Sequence, residues 1–148
     1  MRLLIFFIFI FMPTTLFAQA DLASSELNFA ASELNHQPSG MNAYINQQGS
    51  AMTAEITQAG GAGLTAAINQ LGSGNMANIQ QYGSNDLALI SQVGWGNEAD
   101  IQQTGSGDFA SIVQNGYYNR ATVIQQGNNL STKVVQNGTG MSIKVTRP

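Results

Sequence analysis

A seven-residue unit, Ala-x-Ile-x-Gln-x-Gly, returns along this chain at Ala43, Ala54, Ala66, Ala77, Ala88, Ala99, Ala110 and Ala121. Degenerate copies begin at Thr132 and Ile143. Successive copies start eleven positions apart, and twelve only between Ala54 and Ala66, where Gly60-Gly61-Ala62-Gly63 carries the extra residue. No other feature constrains the fold as strongly, because each copy of a repeat is one structural unit that must stack on its neighbours to bury its apolar face. The ten half-repeats pair into five repeats of about 22 residues: 41–63, 64–85, 86–107, 108–129 and 130–148.

Within each unit the fixed residues fall at every second position. Period two is the signature of a strand, since successive side chains alternate between faces; a helix needs spacings of three and four. Glycine and polar residues between units are turn signals. Each half-repeat therefore reads as one short strand, and two strands joined by a tight turn make one repeat. So short a step leaves no room for a crossover helix. Equivalent strands then lie parallel and in register. The expected fold is all-β: a left-handed β-solenoid of five strand-turn-strand repeats of about 22 residues, with two facing parallel sheets. The hand is an expectation that the period does not itself dictate.

Columns of like residues follow from the stacking. The branched column is Ile45, Ile56, Ile68, Ile79, Ile90, Ile101, Ile112, Val123, Val134 and Val145. With the alanines it should point inward, where facing sheets pack about 10 Å apart. The amide column is Gln47, Gln58, Gln70, Gln81, Gln92, Gln103, Gln114, Gln125 and Gln136. Each glutamine should meet its counterpart about 4.8 Å away on the next turn, its carbonyl accepting from the neighbouring NH₂. The branched side chains alone bury too little to offset the ordering of the chain, so backbone and amide ladders must contribute. Asn75, Asn97 and Asn119 join this templating ladder, each closing a Gly-containing turn such as Gly94-Trp95-Gly96-Asn97. Trp95 and Tyr117 share a column and should stack at the surface, a turn pair or a platform for carbohydrate.

Residues 1–20 read as a secretory signal peptide. Arg2 supplies the positive start, the apolar run Leu3 to Met12 is too short to span a bilayer, and Ala18-Gln19-Ala20 is a small-x-small cleavage site. Cleavage between Ala20 and Asp21 leaves a mature chain in which more than one side chain in five is Asn or Gln, a composition suited to assembly more than to chemistry. No later stretch is apolar enough to cross a membrane. Only 9% of residues are charged, against roughly 25% in an ordinary domain. A formal charge of −3 excludes a basic nucleic-acid binder. With no cysteine and a single histidine, His36, neither a disulfide scaffold nor a Cys/His metal site can form. No catalytic residue, metal or cofactor is expected.

A solenoid ends in exposed strand edges whose unpaired N–H and C=O groups template another strand. Monomeric repeat proteins cover such ends with polar caps. Here Ala43, Ile45 and Gln47 open the first turn on the internal pattern, which predicts self-association and amyloid-like growth. The last turn departs from the pattern: Thr132 and Ile143 replace alanine, and Arg147 sits where the tenth glutamine belongs. All eight acidic residues precede Arg120, which is the first of the basic residues after the leader; Lys133, Lys144 and Arg147 follow it. Burying an arginine in an amide column is costly, so this end should resist stacking. Its basic residues are candidate contacts to an anchor.

The repeat Gln-x-Gly-x-Gly-Asn-x-Ala-x-Ile-x-Gln, from Gln70 to Gln81 and from Gln92 to Gln103, resembles the curlin repeat of bacterial curli fibres. Asp21-Leu22-Ala23-Ser24-Ser25-Glu26-Leu27-Asn28-Phe29-Ala30 and the irregular fifth repeat are similar to the minor, nucleating subunit of that family. The resemblance implies an amyloid nucleator that crosses the outer membrane through the curli secretion channel. It would stay at the cell surface with help from accessory factors, and convert the major curlin subunit into fibres for adhesion and biofilm. It also implies that residues 21–40 form an export-recognition arm. Met41, Met52, Leu64, Leu130 and Met141 depart from the Asn or Asp of the middle turns.

Other readings compete. The major fibre subunit shares the class. A non-amyloid solenoid, such as an ice-binding or adhesin module, would want a regular outward row, whereas Tyr44, Glu55, Ala67, Asn78, Leu89 and Asp100 are mixed. A calcium-binding solenoid needs a nine-residue step. Asp86 and Asp108 stack one turn apart, about the carboxylate spacing of retaining glycosidases, yet the repeat itself supplies that spacing. They are expected near solvent at strand starts, as charges that slow self-stacking.

Overall fold

A computed structural model describes residues 40–148. The expected leader, the expected Ala20–Asp21 cleavage site and most of the expected arm lie outside the described residues. Ten strands follow one another: β1 (Asn42–Ser50), β2 (Thr53–Gly60), β3 (Thr65–Ser73), β4 (Met76–Ser84), β5 (Leu87–Trp95), β6 (Glu98–Ser106), β7 (Phe109–Tyr117), β8 (Arg120–Asn128), β9 (Ser131–Thr139) and β10 (Ser142–Arg147). Odd-numbered strands form one sheet in the order β1-β3-β5-β7-β9, and even-numbered strands form the other. Every pairing is parallel and sets like on like: Ala66, Ile68 and Gln70 face Ala88, Ile90 and Gln92. The described residues contain no helix. This is the five-turn, two-sheet β-solenoid that the period predicts. One turn, or rung, is one repeat.

The first rung is a residue longer than the rest. Asn42 pairs with Thr65 and Thr53 with Met76, whereas Thr65 pairs with Leu87. The surplus is taken up where Gly61 N–H donates to the Gly83 carbonyl at 2.7 Å and Gly63 N–H to that of Gly40 at 3.1 Å. Gly63 takes a φ of 79° there.

Alternation along each strand turns the alanine and branched columns inward. Ala66, Ile68, Ala77, Ile79, Ala88, Ile90 and their successors through Val134 form one buried cluster. Small residues sit beside branched ones in the narrow space between the two sheets. The core thins at the ends, because an end rung is covered on one side only: Ile45 is 44% exposed and Ile143 37%.

Hydrogen bonding does not stop at the corners. Between β3 and β4, Met76 N–H donates to the Asn97 carbonyl at 2.8 Å and Gly96 N–H to that of Ser73 at 3.0 Å. At the opposite corner Leu87 N–H reaches the Asp108 carbonyl at 2.8 Å. Each rung is thus bonded to the next around its circumference, and unpaired backbone collects at the two ends of the stack.

Glycine two places after each glutamine has a role beyond the turn. These glycines lie inside the strands, one residue from the strand end at Gly94. Gly94 takes a φ of 120°, and a Cβ there would run into the carbonyl oxygen of Gly116 on the next rung. A column of backbones approaches too closely for any side chain. At the corner position filled by Gly74 and Gly96, the fourth rung carries Tyr118 at a φ of 54°.

Candidate assembly surface

The glutamine column forms two continuous amide ladders, one per sheet. On the odd strands Gln47 Nε2 donates to Gln70 Oε1 at 2.7 Å, Gln70 to Gln92 at 2.7 Å, Gln92 to Gln114 at 2.8 Å and Gln114 to Gln136 at 2.7 Å. On the even strands Gln58, Gln81, Gln103 and Gln125 follow at 2.8, 2.9 and 3.0 Å. The side chains from Gln70 to Gln136 are buried.

A second bond, made by the ladder amides from Gln58 onward, was not legible in the sequence. The remaining Nε2 hydrogen crosses the core to a backbone carbonyl of the facing sheet. Gln70 reaches Thr53 at 3.1 Å, Gln92 reaches Met76 at 2.9 Å and Gln103 reaches Leu87 at 3.3 Å. Buried amides hold their place only when their donors and acceptors are met, and here one bond runs along the stack and one across it.

At the C-terminal end Arg147 stands in register with Gln125. Its Nη1 donates to the Ser131 carbonyl at 2.6 Å, the same crossing bond that glutamine makes elsewhere. A guanidinium offers no acceptor, however. Gln125 Nε2 turns instead to Thr132 Oγ1 at 3.0 Å. Thr132 and Arg147 are therefore compensating departures, since the hydroxyl that replaces an alanine supplies the acceptor that the arginine lacks. Arg147 is exposed, so its charge is not buried, and a further rung laid on this end would desolvate it. At the other end Gln47 and Gln58 face no further rung among the described residues, and the edges of β1 and β2 are open.

The four basic residues are not gathered into one patch. Arg120 pairs with Glu98 at 2.9 Å across exposed side chains, a surface pair of small net worth. Lys133 lies on β9 and Lys144 on β10, strands of opposite sheets.

Two further columns line the corners. Asn75, Asn97 and Asn119 are buried where an odd strand turns into an even one. The Oδ1 atoms accept from the next rung, that of Asn75 from Asn97 N–H at 3.0 Å and that of Asn97 from Asn119 N–H at 3.1 Å. Each Nδ2 donates to a glycine carbonyl: Gly94 at 3.0 Å, Gly116 at 2.9 Å and Gly138 at 2.9 Å. Asp86 and Asp108 fill the equivalent place at the other corner, and they correct the sequence reading. Expected near solvent, both are 1% exposed. The corner turns these side chains inward, where Asp86 Oδ1 accepts Asp108 N–H at 3.0 Å and Asp108 Oδ1 accepts Leu130 N–H at 2.9 Å. Burial pushes the Asp86 carboxyl above the usual aspartate range, the Asp108 carboxylate adds to the effect, and N–H groups of Asp108 and Gly107 offset part of it.

Trp95 and Tyr117 meet at the surface in the shared column, but not as a parallel stack. Their ring centroids are 6.2 Å apart and the planes meet at 86°, an edge-to-face contact. The two rings therefore do not share one flat face.

No curated protein and no solved structure matches the chain. The family described as the curlin associated repeat matches two segments, residues 75–105 and 106–138, together under half of the chain. Across those segments, which span the amide ladder from Gln81 to Gln136, the chain is similar to the repeat of the curlin family.

Proposed function

We propose that this chain is an exported amyloid nucleator whose N-terminal rungs template polymerisation of a major curlin subunit into surface fibres for adhesion and biofilm. The observation that carries the reading is the asymmetry of the two ends. Among the described residues the backbone edge of β1 and β2 is open, and the amide carbonyls of Gln47 and Gln58 face outward along their columns. An incoming rung with glutamine in the same register extends both ladders there. At β9 and β10 the same addition would bury Arg147, which opposes growth. Asn75, Asn97 and Asn119 hold the corners of the template in shape. The leader ending at Ala20 and the arm from Asp21 supply export through an outer-membrane channel.

The test is substoichiometric seeding. Trace mature chain added to soluble major curlin should remove the lag phase of its polymerisation. Assembly of the chain alone, with no effect on that lag, favours the second reading, an ordinary fibre subunit. Lys133, Lys144 and Arg147 remain the proposed anchor contacts, Arg120 being paired. Truncation after Gln136 should release the protein from cells into the medium; retention at the surface would show that Lys144 and Arg147 do not hold it.

A further inference from the structure

The two corner columns differ by one atom per residue. Asparagine presents Oδ1 and an NH₂ group, and both are used. Asp86 Oδ1 accepts from the next rung as the asparagine Oδ1 atoms do. Its Oδ2 stands in the place of Nδ2 and is buried with no hydrogen-bond partner, as is Oδ2 of Asp108. The groups in the equivalent positions are not donors. Asn75 Nδ2 bonds the carbonyls of Leu71 and Gly94, and the same offsets from Asp86 lead to the carbonyls of Tyr82 and Gly105. A carboxylate oxygen set among carbonyl oxygens is repelled, whereas a carboxylic acid O–H replaces the amide N–H atom for atom.

We infer that Asp86 enters the folded stack as a neutral carboxylic acid, its Oδ2 proton taking the role of the asparagine N–H, so that forming the solenoid takes up a proton. The charged surroundings permit it. The titratable group facing Asp86 is Asp108, one rung on, a second carboxyl group and not a cation. The rung below brings Leu64, which is buried. The inward residues of β4 and β5 are alanine, isoleucine and glutamine. Tyr82 of β4 is 46% exposed. The cations towards this corner belong to the last rung: Lys133, exposed on β9 in register with Leu89 through Ser111, and Arg147, exposed and bonded to the Ser131 carbonyl. Two rung spacings, roughly 9–10 Å, separate that rung from Asp86, and the rung of Asp108 comes between. Among the described residues no salt bridge joins either cation to either aspartate.

The pH dependence follows from linkage. Below the usual aspartate range both the folded and the unfolded chain hold the proton, and the stack has its full stability. As pH rises, the unfolded chain releases the proton first, so stability falls until the stack releases it too, and then levels off. Asp86→Asn supplies the missing donor permanently. Asp100→Asn makes the same change of net charge at a site where the carboxylate already accepts from Asn78 and Gln102.

The experiment follows the folding equilibrium of the mature chain from about pH 4 to about pH 8, with D86N and D100N beside it. The wild-type equilibrium constant should fall with pH, D86N should lose that component of the slope, and D100N should keep it. Infrared difference spectra, wild type minus D86N, taken across the same pH range, should show the carbonyl stretch of one carboxylic acid that persists above the ordinary aspartate range. An unchanged slope in D86N, or no acid band in a spectrum that shows β-structure, overturns the inference. Stabilisation of the wild type, but not of D86N, by calcium chloride at fixed pH also overturns it, because a cation would then occupy the proton's place. These readouts need only the folded stack, so failed seeding of major curlin leaves them intact and counts against the nucleator reading alone.

Discussion

Gly94→Ala should cost the solenoid most of its stability and with it the seeding proposed for it. Two effects combine. A residue with a Cβ is strained at a φ of 120°, at roughly 1–3 kcal/mol. The added carbon also runs into the Gly116 carbonyl oxygen, a backbone atom that moves only if the rungs part. Gly140→Ala is the control. Gly140 takes a φ of 66° with nothing within 4 Å of an added Cβ, so its loss should be about 1–2 kcal/mol, the cost of the left-handed region alone. Denaturant unfolding followed by β-sheet circular dichroism separates the two. Equal midpoints would show that the glycine column serves only backbone freedom and that the close approach between rungs does not matter.

Gln92→Leu should be comparably damaging although it makes the core more apolar. Three groups lose their partner. Gln70 Nε2 loses its acceptor, Gln114 Oε1 its donor, and the Met76 carbonyl its crossing bond. A buried polar group left unmet costs about 1–3 kcal/mol, so the loss should be about 3 kcal/mol or more. Gln126→Leu, at an exposed site on β8, should stay within about 0.5 kcal/mol. Unfolding midpoints measured in guanidinium decide the comparison. A tolerated Gln92→Leu would mean that apolar packing holds the rungs and that the amide ladder is incidental.

The architecture could be read from the chain because the period speaks for itself. Ala, Ile and Gln at alternate positions, returning at every eleventh place, leave strands as the repeating element and parallel register as the way to stack them. What a period reports is which residue lies above which. It does not report what lies across the core. The crossing bonds from Gln70 to Thr53 and from Gln92 to Met76 connect positions that share no column, so column arithmetic missed them. The acceptor role of Thr132 toward Gln125 went unseen for the same reason, and Thr132 read only as a worn copy of alanine. Asp86 and Asp108 were misplaced because an acidic residue at the start of a strand ordinarily faces water. Their resemblance to Asn75 and Asn97 becomes visible only when the two corners of the coil are compared. The turn pair Trp95 and Tyr117 was located by its column, but ring orientation depends on the side-chain torsions of a corner, which no repeat specifies.

Every side-chain amide bond between successive glutamines of the odd strands runs in one sense, from N-terminal rung to C-terminal rung. The stack is therefore an arrow. Two copies meeting by their first rungs would set carbonyl against carbonyl, and two meeting by their last rungs would set guanidinium against guanidinium. A filament that inherits its order from this chain lengthens with a single direction built into every layer, and observed by microscopy it should show one fast tip and one silent one.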